Sequence, residues 1–249
     1  MSNQAGPMSG RVALVTNVAH VVGLPAAVEL AAQGAVAVCH DAGFALADAR
    51  KEFAAAHPDL HVIAEQEPAD IVAAVTAAHH RIDVLVNNDA CPAIRAPIEN
   101  ARLEDMRAGL EALVTAPFAL AQAVVPQMKQ RRSGKLLFVT SAAPLRGLPN
   151  YSMYATARGA TNALAISLAR ELAPFNIQVN AIAPNFVESP TYFPAKLLAD
   201  PEAMKKITGN VPLGRLAKPE EVAALIAFYA SPQANFISGH VMPFAGGWA

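Results

Sequence analysis

The chain has little of what marks a secreted, nucleic-acid-binding, metal-dependent or membrane protein. Two cysteines, Cys39 and Cys91, are too few for a disulfide framework and fit a reduced, cytoplasmic setting. Charged residues make up only 16% of the 249 positions and the formal net charge is −1. Without a basic block, neither nucleic acid nor an anionic membrane surface is an expected partner. The longest apolar stretch, Leu113 to Val125, contains Pro117 and Gln122 and falls short of the ~20 residues a membrane span requires. Met1 to Arg11 has no charged segment followed by an apolar one, so no secretory signal is expected. Seven histidines are present, but no His/Cys/Asp group has metal-site spacing. His79-His80 ends a helix with no carboxylate at ligand distance, and His57 and His61 flank a proline-containing turn.

What is abundant is apolar: 53% of residues. That supports a large core and leaves surplus faces for burial between subunits. Short β-rich runs alternate with helical segments, the pattern of a parallel α/β sheet with helices on both faces. Arg11 to Thr16, Ala35 to Cys39, His61 to Ala64, Ile82 to Asn87, Lys135 to Ser141, Ile177 to Ala183 and His240 to Ala245 read as seven strands. Continuous apolar runs are what strands covered on both faces require. Gly23 to Gln33, Ala45 to Ala56, Ala69 to His79, Leu103 to Lys129, Ser152 to Ala173 and Pro219 to Ala230 read as helices. Asn185 to Leu213, with Pro190, Pro194, Pro201 and Pro212, reads as an irregular, partly helical excursion. No repeat, linker or low-complexity tract divides the chain, so residues 1–249 are expected to form a single Rossmann-like, three-layer domain.

In such sheets ligands bind beyond the carboxyl ends of the strands. Ser141 falls at one such end, Thr16, Asn87 and Pro184 at others. Ser141 precedes Tyr154 by thirteen positions, and Arg158 follows Tyr154 by four, one helical turn on the same face. A tyrosine that removes a proton from an alcohol needs a lowered pKa. Arg158 is a permanent cation able to hold the phenolate, and Ser141 can fix the substrate hydroxyl. Taken alone, Tyr154 and Arg158 read as a partly buried tyrosine beside a surface arginine. The serine at its matching distance favours catalysis.

The loop after the first strand reads Thr16-Asn17-Val18-Ala19-His20-Val21-Val22-Gly23. A dinucleotide fingerprint needs glycines for a tight turn, for close approach to the pyrophosphate and for helix–strand packing. Asn17 and Val21 occupy the first two places and only Gly23 remains. A β-branched residue such as Val21 resists positive φ and puts bulk where phosphate would sit. Asp41 ends the second strand where a ribose is read in dinucleotide folds, but an Asp there is also an ordinary turn former.

These motifs, with Leu85-Val86-Asn87-Asn88, Pro184-x-x-Val187-x-Ser189 and Gly239 to Gly247, carry a resemblance to the short-chain dehydrogenase/reductase fold from Arg11 through Trp248. Within it the chain resembles the halohydrin dehalogenases, which have Ser-Tyr-Arg for Ser-Tyr-Lys and T-x4-[Phe/Tyr]-x-G for the glycine fingerprint. Thr16 and Gly23 fit; Val21 stands at the aromatic position. The helix asparagine that the dehydrogenases place four residues before a Pro-Phe pair is Leu113 here, before Pro117-Phe118.

The resemblance implies a reaction without cofactor or metal. Tyr154 deprotonates a vicinal halohydrin, Ser141 holds its oxygen, Arg158 supports the phenolate, and the alkoxide displaces halide to give an epoxide. It also implies the reverse opening of epoxides by halide or by small anions such as azide, cyanide and nitrite. The halide pocket is expected from Pro184, Asn185, Phe186 and Val187, the last through its backbone N–H, with Val21, Tyr192 and Phe193 as walls. A homotetramer is implied as well. Cys91 is expected at the cleft wall, and Trp248 is open between the site and a subunit contact. The alternatives are an NAD(P)-dependent alcohol oxidoreductase with a divergent loop, and a non-catalytic sensing or scaffolding member of the same fold.

Overall fold

A computed structural model describes residues 6–249. The N-terminal expectation falls partly on residues 1–5, which lie outside the described residues. Seven strands, β1 (Val12–Val15), β2 (Val36–Cys39), β3 (His61–Val62), β4 (Val84–Asn87), β5 (Gly134–Val139), β6 (Ile177–Pro184) and β7 (Val241–Phe244), form one sheet. Their order is β3-β2-β1-β4-β5-β6-β7, and every pairing is parallel. The register sets Leu14 beside both Val38 and Leu85.

Successive side chains on a strand face opposite sides, and both sides here are apolar. Ala13, Val15, Val84, Val86, Leu137 and Val139 enter one core cluster. Val12, Leu14, Leu85, Leu136 and Phe138 enter the other. The first core is covered by α1 (Gly23–Ala32) and α10 (Pro219–Ala230), with Phe53 of α2 (Ala47–Ala56) at its margin. The second is covered by α3 (Pro68–His79), α5 (Ala116–Arg131) and α7 (Ser152–Leu172). This is the three-layer sandwich expected from sequence.

Three details depart from the sequence reading. The third strand is only His61–Val62, because the chain leaves the sheet before Ala64. The helix expected over Leu103 to Lys129 is a 29-residue composite ending at Arg131. It joins α4 (Leu103–Leu110) to α5 through a π-helical turn at Glu111–Thr115. Such a turn frees backbone groups from the regular ladder, and the Thr161 hydroxyl donates to the Leu113 carbonyl at 2.5 Å. This composite is long and apolar enough by composition to cross a membrane, which the shorter stretch read from sequence was not. Its buried side chains Leu120, Ala121, Val124 and Met128 pack into the second core, which makes it a layer of the sandwich.

The excursion after β6 holds two short helices, α8 (Ala195–Leu198) and α9 (Pro201–Thr208). Its base is tied back by a parallel bridge between Val187 and Ala217. The strand order reverses direction between β1 and β4, and the crevice beyond their carboxyl ends is where the fold places a ligand.

Candidate active site

A cavity of about 460 Å³ opens beyond the ends of β4, β5 and β6, within the usual range for small-molecule sites. Ser141, Tyr154 and Arg158 all line it. So do Pro184, Asn185, Phe186, Val187, Val21, Tyr192 and Phe193. The structure therefore brings every site residue named from sequence around one space.

Ser141 leaves β5 almost fully buried, and its Oγ accepts the Ala143 N–H at 3.1 Å at the start of the short helix α6 (Ala143–Arg146). With that lone pair engaged, the hydroxyl proton is directed elsewhere and can be donated to a ligand oxygen. Tyr154 and Arg158 lie on one face of α7. The Arg158 Nε donates to the Tyr154 hydroxyl at 3.1 Å. The guanidinium is 3% exposed and its other arms donate to the carbonyls of Val139 at 3.0 Å and Asp89 at 2.9 Å. Three hydrogen bonds from three elements fix the fork. A charge-assisted hydrogen bond to the phenolic oxygen strengthens as that oxygen gains negative charge. Tyr192 has no such contact, and burial is the main cause that pushes its phenol up from the ordinary value. Of the three tyrosines that line the cavity, Tyr151, Tyr154 and Tyr192, Tyr154 is the one whose hydroxyl accepts from the guanidinium.

Three residues that sequence reasoning did not assign to the site line it as well. His20 stands edge-on to Tyr192, ring centroids 6.1 Å apart. Burial, and then the Arg158 guanidinium, hold its imidazole below the ordinary value, against the smaller opposing pull of Asp41. Asp89 is buried beside the guanidinium, and burial raises its carboxyl to about 7 in spite of the Arg158 charge. Trp248 resolves to the site: it lines the cavity, meets Phe186 edge-on at 5.7 Å, and stacks under the Arg146 guanidinium at 5.0 Å. Cys91 is the opposite correction. It does not line the cavity, because Asp89 and Ala93 supply that stretch of wall. Burial, the largest influence on its thiol, pushes it up, away from thiolate chemistry.

Val187 lines the cavity, and its neighbours in the β6 loop have their N–H groups engaged within the protein. The Phe186 N–H is taken by Asn185 Oδ1 at 3.0 Å and the Asn185 N–H by the Phe244 carbonyl. The bridge to Ala217 uses the Phe186 carbonyl and the Glu188 N–H. In a parallel bridge that geometry turns the Val187 N–H to the other side.

The loop after β1 corrects one sequence argument and strengthens another. Val21 does adopt positive φ (37°), as does Asn17 (47°). The glycine-like turn is therefore kept despite the β-branched side chain, with the loop pinned by Asn88 Nδ2 to the carbonyls of Asn17 (3.0 Å) and His20 (2.8 Å). Gly23 remains indispensable, since a Cβ there would stand 2.6 Å from the Val18 Cα. The loop also spends several of its donors on the protein itself. The N–H groups of Val18, Ala19, His20 and Gly23 are all bonded within the protein. Asp41 spends its carboxylate on the Ala19 and Gly43 N–H groups at 3.0 and 2.9 Å. Four of the loop's N–H groups and the Asp41 carboxylate are thus engaged within the protein.

The chain belongs to the short-chain dehydrogenase/reductase family: residues 18–249 match the family model described as enoyl-(acyl carrier protein) reductase. Curated relatives include a 3-oxoacyl-[acyl-carrier-protein] reductase of Thermotoga maritima, 32% identical over 96% of this chain and 98% of that protein. Human dehydrogenase/reductase SDR family member 4 is 31% identical over 97% of this chain and 88% of that protein.

Among solved structures the likeness is more particular. A dehalogenation enzyme superposes with a TM-score of 0.94 at 48% identity, covering 97% of this chain and 99% of that one. A halohydrin dehalogenase bound to ethyl (2S)-oxiran-2-ylacetate superposes at 0.92 with 41% identity, covering 95% and 96%. An NAD+-bound xylitol dehydrogenase superposes at 0.85 with 28% identity, covering 96% and 99%. The resemblance to halohydrin dehalogenases noted from the motifs thus extends over nearly the whole fold.

Proposed function

We propose that this protein is a halohydrin dehalogenase that converts vicinal halohydrins to epoxide, halide and a proton without a redox cofactor. The observation that carries the reading is the Arg158–Tyr154 hydrogen bond in a cavity whose neighbouring loop spends four N–H groups and the Asp41 carboxylate within the protein. The likeness to the two dehalogenase structures, one holding an epoxide ester, supports the same substrate class.

Tyr154, its oxygen held by the Arg158 Nε–H, takes the proton of the substrate hydroxyl while Ser141 donates to that oxygen. The alkoxide forms a C–O bond to the adjacent carbon as the C–halogen bond breaks, and the proton passes to solvent. The displacement is intramolecular, so the protein need only hold oxygen and halogen anti to each other. The Val187 N–H faces the leaving halide, with Pro184, Asn185, Phe186, Val21, Tyr192 and Phe193 as its walls. An oriented backbone donor in an apolar pocket stabilises an anion as it develops. Run in reverse, the same arrangement opens epoxides with azide, cyanide, nitrite or halide.

Assembly belongs to this reading as well. Only 28% of the most apolar stretch of the Leu103–Arg131 helix is buried, and Phe118 and Ile166 are exposed on neighbouring helices. Those faces suit contacts between copies in a homotetramer. The composition and the two cysteines suit a cytoplasmic setting. The test is halide release from a short chlorinated or brominated alcohol by enzyme dialysed free of nucleotides. Steady release that disappears in Tyr154→Phe supports the proposal, and silence across a panel of halohydrins overturns it.

A further inference from the structure

The amino edge of the sheet, opposite the catalytic one, carries a cavity of about 110 Å³ that shares no lining residue with it. Lys135, the second residue of β5, lines this cavity between Val84 of β4 and Gln178 of β6. Alternation along the strand puts it on the face of Leu137 and Val139, beneath α10. It is 7% exposed, and its Nζ donates to the Tyr229 carbonyl in the last turn of α10 at 3.1 Å. An ammonium has three donors and a full charge. The helix end answers one donor and roughly half of the charge.

A buried cation is stable when it is paired. Among the described residues no carboxylate lies within ion-pair distance of this ammonium. The carboxylate that lines the cavity, Asp83, is already engaged. It accepts from Arg81 Nε and from the Val12 N–H, both at 2.9 Å, and pairs with Arg11 at 3.5 Å. Burial, and then the Arg11 charge, hold the Lys135 ammonium down to about 8, whereas a carboxylate beside it would act in the opposite direction. Arg11 lines the same cavity as a second cation, and Ser133 and Asn235 add a hydroxyl and an amide. The space opens to solvent, since 37% of the Arg11 side chain is exposed and Asn176 and Asn235 stand exposed at the rim. Its volume lies well below that of sites for drug-sized molecules.

We infer that this cavity binds one small inorganic oxyanion, of the phosphate or sulfate kind, between Lys135 and Arg11. Such an ion supplies the charge that Lys135 lacks and several acceptor oxygens for the ammonium, the guanidinium and the Ser133 hydroxyl. Charge-assisted hydrogen bonds of this sort are the strong ones. The site lies across the sheet from the catalytic cavity, and the inference does not rest on the reaction proposed there.

The experiment is calorimetric titration of the full-length protein with sodium phosphate and with sodium sulfate, against sodium chloride at matched ionic strength. Saturable binding of phosphate or sulfate at one site is expected, weakened about tenfold or more in Lys135→Met by the loss of a charge-assisted hydrogen bond. Should Lys135→Met fail to fold, Arg11→Gln serves, because that side chain is partly exposed, and the same direction of change is expected. No saturable binding of either oxyanion, binding undiminished in a folded variant, or an equal response to chloride would overturn the inference.

Discussion

The two ends of the crevice treat their polar groups in opposite ways. Around the loop after β1, hydrogen-bonding capacity is turned inward: four N–H groups and the Asp41 carboxylate bind one another and the protein's own carbonyls. Around the ends of β5 and β6 it is turned outward. There Ser141, Tyr154 and Val187 line a cavity, and the buried Arg158 guanidinium donates to the phenol's oxygen. The same backbone path serves both ends in dehydrogenases and here. Here one end spends these groups on the protein itself, and the other leaves them to a ligand.

The sharpest way to break the catalytic half is Tyr154→Phe. It removes the base and leaves the cavity shape, so kcat for halide release is expected to fall about 10³-fold with little change in Tm. Persistence of more than a tenth of the rate would assign the base elsewhere. Arg158→Gln is expected to lower the rate at least 10²-fold and, because the carbonyls of Val139 and Asp89 lose their donors, to destabilise the fold by about 3 kcal/mol in urea unfolding. A loss of activity with no loss of stability would contradict the structural part of that role.

Asp89 sharpens the comparison through pH. Its folded carboxyl, near 7, lies above its ordinary 3.8, so the native state binds the proton more tightly than the unfolded one. Its favourable contribution is full below about pH 4 and is lost as pH rises through 7. Asp89→Asn is expected to remove that decline, a change on the order of 2 kcal/mol between pH 4 and 8 once relaxation around the carboxyl is allowed for. An unchanged stability–pH profile would refute it. The smallest expected effect is at the nucleotide end. Val21→Gly relieves a positive-φ valine but leaves Asp41 and the loop donors spent, so fluorescence titration with NADH should show no gain in binding. Micromolar binding in that variant would mean that side-chain bulk alone excludes the cofactor.

Much of this was readable from sequence for physical reasons. The strands are continuous apolar runs because both faces are covered, and Ser141, Tyr154 and Arg158 keep spacings set by a strand end and one helical turn. Gly23 announced its packing duty, and the structure puts a backbone atom where its Cβ would go. His20, Asp89 and Trp248 were not assigned because only tertiary folding brings them to the cavity, each from a different segment and without a local pattern. The π turn at Glu111–Thr115 was hidden because five residues of altered winding leave the apolar periodicity of a long helix nearly intact. Val21 misled for a different reason. Steric preference argues against positive φ at valine, but the surrounding hydrogen bonds of Asn88 fix the turn regardless.

The most direct test gives the enzyme a choice. A short bromohydrin is supplied together with NAD+ and its fate is followed by NMR. Ring closure to the epoxide, with bromide and protons released in equal amounts and NAD+ untouched, is the predicted result. Formation of the bromoketone with matching NADH would show that a hydride moves in this crevice and would contradict the account.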